Sequence, residues 1–305
     1  MRMVRHLVGM GDLSPSEVGK IIDLAIKLKV NPEKYYHLLD HKSLVMLFEK
    51  SSTRTRLSFE IGMTQLGGHA VNFTGSQLSV GKEDVADTAR TISAYADILM
   101  ARVYKHKTVE DLAKFASIPV INALSDLEHP CQALADIQTI KERKGWKGVK
   151  VAYVGDGNNV CNSLMLACAM VGLEFAAGTP KAYMPDAELI KKAEKYAHSS
   201  KSKLVFTNSA KEAVKDADVV YTDVWISMGE EHLKEQKMLE FGEFQVDEKL
   251  MAHARKDAVF MHCLPAKKGY EVTEGVIEGK NSAVFQQAEN RMHAQKALML
   301  FLLGQ

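Results

Sequence analysis

SLVMLFEKSSTRTRLSFEIGMTQLGGHAVNF, residues 43–73, joins an apolar run to a polar cluster, an amphipathic run and a second apolar run. The short apolar run reads as a strand covered on both faces. The amphipathic run predicts a helix from about Thr53 to Leu66, and HAVNF a further strand. Strand, helix and strand in that order make a βαβ unit, and hence a parallel sheet.

The same grammar continues along the chain. VADTARTISAY and VEDLAKFA read as helices between the strands DILMARV and IPVINAL. A second block then begins at VKVAYVG. It continues through a helix from about Val160 to Val171, the strand LEFAAG, the helix AELIKKAEKYAHS, the strand KLVFTN, a helix through KEAV, and the strands ADVVYTDVW and DAVFMHCL. The expected fold is α/β, with two domains that are each a mostly parallel sheet flanked by helices. CQALADIQTIKERKGW and AENRMHAQKALMLFLLGQ read as two interdomain helices, the latter with an apolar stripe through Met292, Ala297, Met299 and Leu300. The expected boundaries are 1–135 plus 288–305 for one domain and 136–287 for the other.

A chain of 305 residues has room for two such cores. With 39 Lys+Arg against 38 Asp+Glu, the net charge of +1 supplies no field for nucleic acid, so small molecules and other subunits are the expected partners. The four cysteines, Cys131, Cys161, Cys168 and Cys263, have no CxxC spacing and fit reduced thiols. The first residues contain no signal-like apolar stretch, and the most apolar segment is broken by Glu174. A cytoplasmic protein without a membrane segment is expected.

Ligands of open parallel sheets bind beyond the carboxyl ends of the strands. The polar clusters of this chain fall there. Ser51, Ser52, Thr53 and Thr55 precede a helix whose free N–H groups and dipole favour an anion, and Arg54 and Arg56 add permanent charge. A helix cap alone would need only one of these hydroxyls. Arg102 ends the strand DILMA, a place where a lone arginine is commonly a solvated group. HPCQ, residues 129–132, sets His129 and Gln132 on a turn entering a helix.

In the second domain GDGNN imitates a dinucleotide fingerprint, but Val160 stands where a small third residue is needed and no carboxylate ends the next strand. Asn158 and Asn159 could cap the helix or hold the polar end of a ligand. In DVWISMG, Asp223 offers a carboxylate to a cation and the turn at Ser227, Met228 and Gly229 offers backbone groups to an anion, which suits an amino acid. A cap and a solvated turn explain the same residues. His262 and Cys263, as strand neighbours, are expected to point apart, which argues against a shared metal.

Taken together, SSTRTR, ARVY, HPCQ, GDGNN, DVWISMG, HCLP and AENRMHAQKA resemble the aspartate/ornithine carbamoyltransferase family over nearly the whole chain, in the family's order and spacing. DVWISMG and Cys263 resemble its ornithine-using branch. The resemblance implies transfer of the carbamoyl group of carbamoyl phosphate to the δ-amine of L-ornithine, giving L-citrulline and phosphate, in a cleft between the two domains. It implies that Ser52, Thr53, Arg54 and Thr55 cradle the phosphate, while Arg102, His129 and Gln132 hold the carbamoyl group and Pro130 and Cys131 also belong to the carbamoyl phosphate site. Asn159, Asp223, Ser227 and Met228 would bind ornithine. Cys263 and Leu264 would lie against the reacting groups, with Arg291 completing the site and Arg102, His129 and Cys263 acting in catalysis. It further implies a homotrimer with sites at subunit boundaries, Gln77 reaching in from a neighbour, and no metal or organic cofactor. The alternatives are a carbamoyltransferase for another amine and a dinucleotide-binding dehydrogenase.

Overall fold

The computed structural model describes residues 4–74, 84–226 and 230–305. The chain divides into two compact units, one of residues 1–138 with 289–305 and one of residues 139–288. Among the described residues each unit carries one sheet, and every strand pairing in both is parallel.

The first unit begins with α1 (Pro15–Val30), a helix the strand-and-helix alternation does not reveal. Its signal is the capping box Ser14-Pro15-Ser16-Glu17. The Ser14 hydroxyl accepts the Glu17 N–H at 3.3 Å, and the Glu17 carboxylate accepts the Ser14 N–H at 2.8 Å. Val18, Ile21, Ile22, Ala25 and Leu28 form its buried face. Each large aliphatic residue among them contributes about 2 kcal/mol of burial.

There follow β1 (Ser43–Phe48), α2 (Thr53–Gln65), β2 (His69–Thr74), α3 (Val85–Tyr95), β3 (Ile98–Arg102), α4 (His106–Phe115), β4 (Val120–Leu124) and α5 (Pro130–Lys144). The strand order β2-β1-β3-β4 makes the winding reverse between β1 and β3. Phe48 and Arg102, the last residues of those two strands, lie side by side in register. A crevice opens where such a reversal occurs, so the residues after Phe48 and at Arg102 share one edge of the sheet.

The second unit holds β5 (Lys150–Val154), α6 (Asn159–Val171), β6 (Glu174–Gly178), α7 (Ala187–Ser200), β7 (Leu204–Thr207), α8 (Ala210–Val214), β8 (Val219–Thr222), α9 (Lys234–Glu240), α10 (Glu248–Met251), β9 (Val259–His262) and α11 (Glu274–Ile277). Its order, β7-β6-β5-β8-β9, reverses between β5 and β8. These strand ends carry Gly155–Asn159 and Asp223. The α6 helix is buried on every side from Val160 to Met170, which explains its nearly continuous apolar sequence.

The last helix is α12 (Val284–Leu303). Ala294 to Leu300 are all buried, including Gln295 and Lys296, so the expected one-sided apolar stripe is corrected to burial all round. Lys296 survives there because its ammonium donates to Gln65 Oε1 on α2 at 2.9 Å. The division between the two units falls within α5 and within α12.

Candidate active site

In the first unit, Ser52 is the N-cap of α2, with its hydroxyl accepting the Thr55 N–H at 3.3 Å. Thr53, Arg54 and Thr55 therefore form the first helical turn, where backbone N–H groups lack intrahelical acceptors. Thr55 is fully buried, and its hydroxyl oxygen receives three donors. They are the Ser52 hydroxyl at 3.1 Å, Arg291 Nη2 at 2.9 Å and Arg102 Nη1 at 3.4 Å. Arg291 arrives from α12, 236 positions away in sequence. Two guanidiniums gathered on one neutral oxygen beside a helix N-terminus repel each other, and an anion relieves that repulsion.

His129 lies close to the same two arginines. It is buried at the start of α5, and burial, Arg291 and Arg102 together hold its pKa well below 6.5. It is therefore a neutral imidazole, able to donate one N–H to a carbonyl oxygen without adding charge. Pro130 opens α5 at a position that needs no N–H. Cys131 turns its thiol to the Asn122 carbonyl at 3.4 Å, and burial pushes its pKa up to about 12, so its side chain is inert. Gln132 is anchored through Nε2 to Asp136 Oδ1 at 2.8 Å, while its buried Oε1 has no hydrogen-bond partner among the described residues. That acceptor suits an amide NH₂.

Because His129 binds fewer protons folded than unfolded below its ordinary pKa, stability falls as pH drops through about 6.5, by about 1.4 kcal/mol per pH unit for this group. His293, lowered to about 4 by burial and Lys296, acts in the same direction. His129→Gln is expected to remove one such slope in urea melts between pH 7 and 5. An unchanged slope would show that His129 takes up its proton equally in the native and unfolded states.

In the second unit, Asp223 follows β8 and is buried. Its Oδ2 accepts Asn158 Nδ2 at 2.9 Å, and its Oδ1 accepts the Val224 N–H at 2.8 Å and the Cys263 thiol at 3.0 Å. Asn158 is also the N-cap of α6, its Oδ1 accepting the Val160 N–H, the Cys161 N–H and the Tyr153 hydroxyl. Asn159 takes the first helical position beside it. The sequence suggests a cap for this asparagine pair, but not the bond from Asn158 to Asp223, which joins the two strand ends of the switch point.

His262 closes β9, and Cys263 and Leu264 leave it. Leu264 has a φ of 58°, in the left-handed region, and its N–H donates to His262 Nδ1 at 2.9 Å. His262 Nε2 pairs with buried Glu271 Oε1 at 3.1 Å. Ligand atoms of Asp223, His262 and Cys263 lie within 4.8 Å of one another, so the expectation that His262 and Cys263 point apart is corrected. Cys263 lies just past the strand, where strict alternation has ended. Both His262 nitrogens are engaged, and a cation would have to displace one of those bonds.

The dinucleotide-like glycines have local reasons. Gly155 has a φ of 128°, and a Cβ on Gly157 would lie 2.4 Å from the Pro185 nitrogen. Backbone of residues 183–185 takes the close approach that a pyrophosphate would need. Gln77, Ser227 and Met228 lie outside the described residues.

An anion cradle at one switch point and a carboxylate, amide and thiol at another mark a two-substrate α/β enzyme of the group-transfer class. Residues 5–142 match the carbamoyl-P binding domain of aspartate/ornithine carbamoyltransferase, and residues 147–302 match the Asp/Orn binding domain. The chain belongs to the aspartate/ornithine carbamoyltransferase family. It is 50% identical over 300 residues to the ornithine carbamoyltransferase of Methanocaldococcus jannaschii, covering 97% of this chain and 98% of the relative. It is 51% identical over 304 residues to the anabolic ornithine carbamoyltransferase of Pyrococcus furiosus, covering 98% and 96%. The solved ornithine carbamoyltransferase structure from Pyrococcus furiosus matches with a TM-score of 0.95 at 50% identity, covering 98% of this chain and 97% of that one. The anabolic enzyme structure from Campylobacter jejuni matches with a TM-score of 0.93 at 44% identity, covering 98% of each.

Proposed function

We propose that this protein transfers the carbamoyl group of carbamoyl phosphate to the δ-amine of L-ornithine, giving L-citrulline and phosphate in arginine biosynthesis. The observation that carries the reading is the convergence of Ser52, Arg102 and Arg291 on Thr55 at a helix N-terminus, within a chain about half identical to ornithine carbamoyltransferases over its full length. Relatives described as anabolic support the biosynthetic direction.

The first unit handles carbamoyl phosphate. Ser52, Thr53, Arg54 and Thr55 take the phosphate oxygens, and Arg102, His129 and Arg291 face the carbamoyl oxygen. Gln132 Oε1 takes the carbamoyl NH₂. The second unit handles ornithine through Asn159, Asp223, Ser227 and Met228, with Cys263 and Leu264 beside the δ-amine. Free ornithine carries an ammonium with a pKa near 10.4, and arginine charge favours its neutral form. The neutral amine attacks the carbonyl carbon, a C–N bond forms, and charge moves onto the oxygen. Each fixed donor there contributes about 3 kcal/mol. The C–O bond to phosphate then breaks and the departing phosphate accepts the amine proton.

The working form is a homotrimer in the cytoplasm, with Gln77 donated by a neighbour. In support, a groove of about 620 Å³ lined by residues including Leu57, Ile61 and Asn72 runs along α2, and Leu57, Ile61 and Val71 are exposed. Among the described residues no helix is long and apolar enough to cross a membrane.

Purified protein given carbamoyl phosphate and L-ornithine is expected to form citrulline and phosphate in equal amounts. Carbamoylation of aspartate or putrescine in preference to ornithine, or binding of a nicotinamide dinucleotide without citrulline formation, would overturn the reading.

A further inference from the structure

Lys237 is a lysine in an unusual place. It lies on α9 with only 1% of its surface exposed, yet its ammonium is 2.6 Å from Asp156 Oδ2 and 2.6 Å from Glu230 Oε2. The Tyr183 and Phe241 rings stand 5.0 and 5.9 Å from the same nitrogen. Burial opposes the charged ammonium, but the two carboxylates outweigh it and leave the Lys237 pKa raised. Burial pushes Asp156 up to about 6 despite the attraction of Lys237. A buried ion pair often stabilises no more than apolar residues of the same volume would, so stability alone is a weak reason for this cluster.

Its neighbours supply a better one. Asp156 belongs to the turn that ends β5, and its carbonyl accepts the Asn158 N–H at 2.7 Å. Asn158 in turn donates to Asp223. Glu230 stands just beyond Ser227, Met228 and Gly229 in the sequence. Lys237 therefore ties the turn that carries Asn158 to Glu230, ahead of α9.

We infer that Lys237 is a positioning residue for ornithine, clamping the Asp156 turn to Glu230 so that Asn158 stays against Asp223 and the carboxylate keeps its orientation. The inference rests on the carbamoyl transfer to ornithine proposed above. It assigns Lys237 no contact with the substrate.

The test is steady-state kinetics of wild type, Lys237→Met, Lys237→Arg and Glu230→Gln, each with its Tm. Lys237→Met is expected to raise the ornithine KM about tenfold or more while the carbamoyl phosphate KM stays within about twofold. Lys237→Arg, whose fork can span both carboxylates, is expected to return the ornithine KM to within about threefold of wild type. A clamp that serves stability alone would move Tm and leave the ornithine KM unchanged, and that result overturns the inference. Should Lys237→Met fail to fold, Glu230→Gln decides, since its carboxylate is partly exposed. An ornithine KM raised by more than about threefold supports the clamp, and one within about threefold of wild type overturns it. Wild type that forms no citrulline overturns the reaction itself, and the positioning role with it.

Discussion

Arg102→Ala is expected to lower kcat about 1,000-fold, equivalent to about 4 kcal/mol of lost transition-state stabilisation. Arg102 is the last residue of β3 and its Nη1 reaches the Thr55 hydroxyl, the same oxygen that Arg291 engages. In the proposed mechanism, truncation removes a permanent charge and a donor from the oxygen on which negative charge develops. The fold should survive, because the side chain is only half-buried and the backbone pairing of Arg102 with Phe48 is untouched. Arg102→Lys keeps a charge without the fork and should recover only part of the loss. Removing Arg102 also removes one of the charges that depress His129, so the His129 pKa should rise toward 6.5. A kcat within about threefold of wild type for Arg102→Ala would sink the oxyanion role.

Asp223→Asn should act on the other substrate. The ornithine KM is expected to rise about 100-fold, about 2.7 kcal/mol, with the carbamoyl phosphate KM within about twofold. The native carboxylate accepts from Asn158, Val224 and Cys263, an arrangement that suits an acceptor with no proton of its own. An amide turns an NH₂ toward one of these donors and carries no charge for the ornithine ammonium. The misplaced donor should also reduce stability by about 1–3 kcal/mol, measurable by urea unfolding. Unchanged ornithine dependence would remove Asp223 from the site.

Both variants probe residues legible in the sequence, because strand ends in a parallel sheet are where ligands collect and periodicity locates those ends. Ser52 to Thr55, Arg102, His129 and Asp223 all stand at such strand ends, but a solvated arginine and a helix cap explain Arg102 and Asp223 as well, and only the family resemblance singles those two out. Lys237 and Lys296 are different. In a sequence a lysine reads by default as solvated surface, and only packing shows both to be buried. The α1 helix was readable through Ser14, Pro15 and Glu17, a capping signal lying outside the strand-and-helix alternation. The short α9, α10 and α11 lack the length for a periodic signal.

Residue pattern alone carries two parallel α/β sheets and the strand-end loops where polar residues gather, since alternation of apolar runs and amphipathic helices is a local property. Convergence is not local. Arg291 meets Thr55 across 236 positions, Asn158 meets Asp223 across 65, and Lys237 meets Asp156 across 81. Such pairs depend on the order of strands in each sheet and on how α12 and α9 pack. Burial then sets their strength, because charges removed from water must find partners, and only the folded chain decides which ones they find.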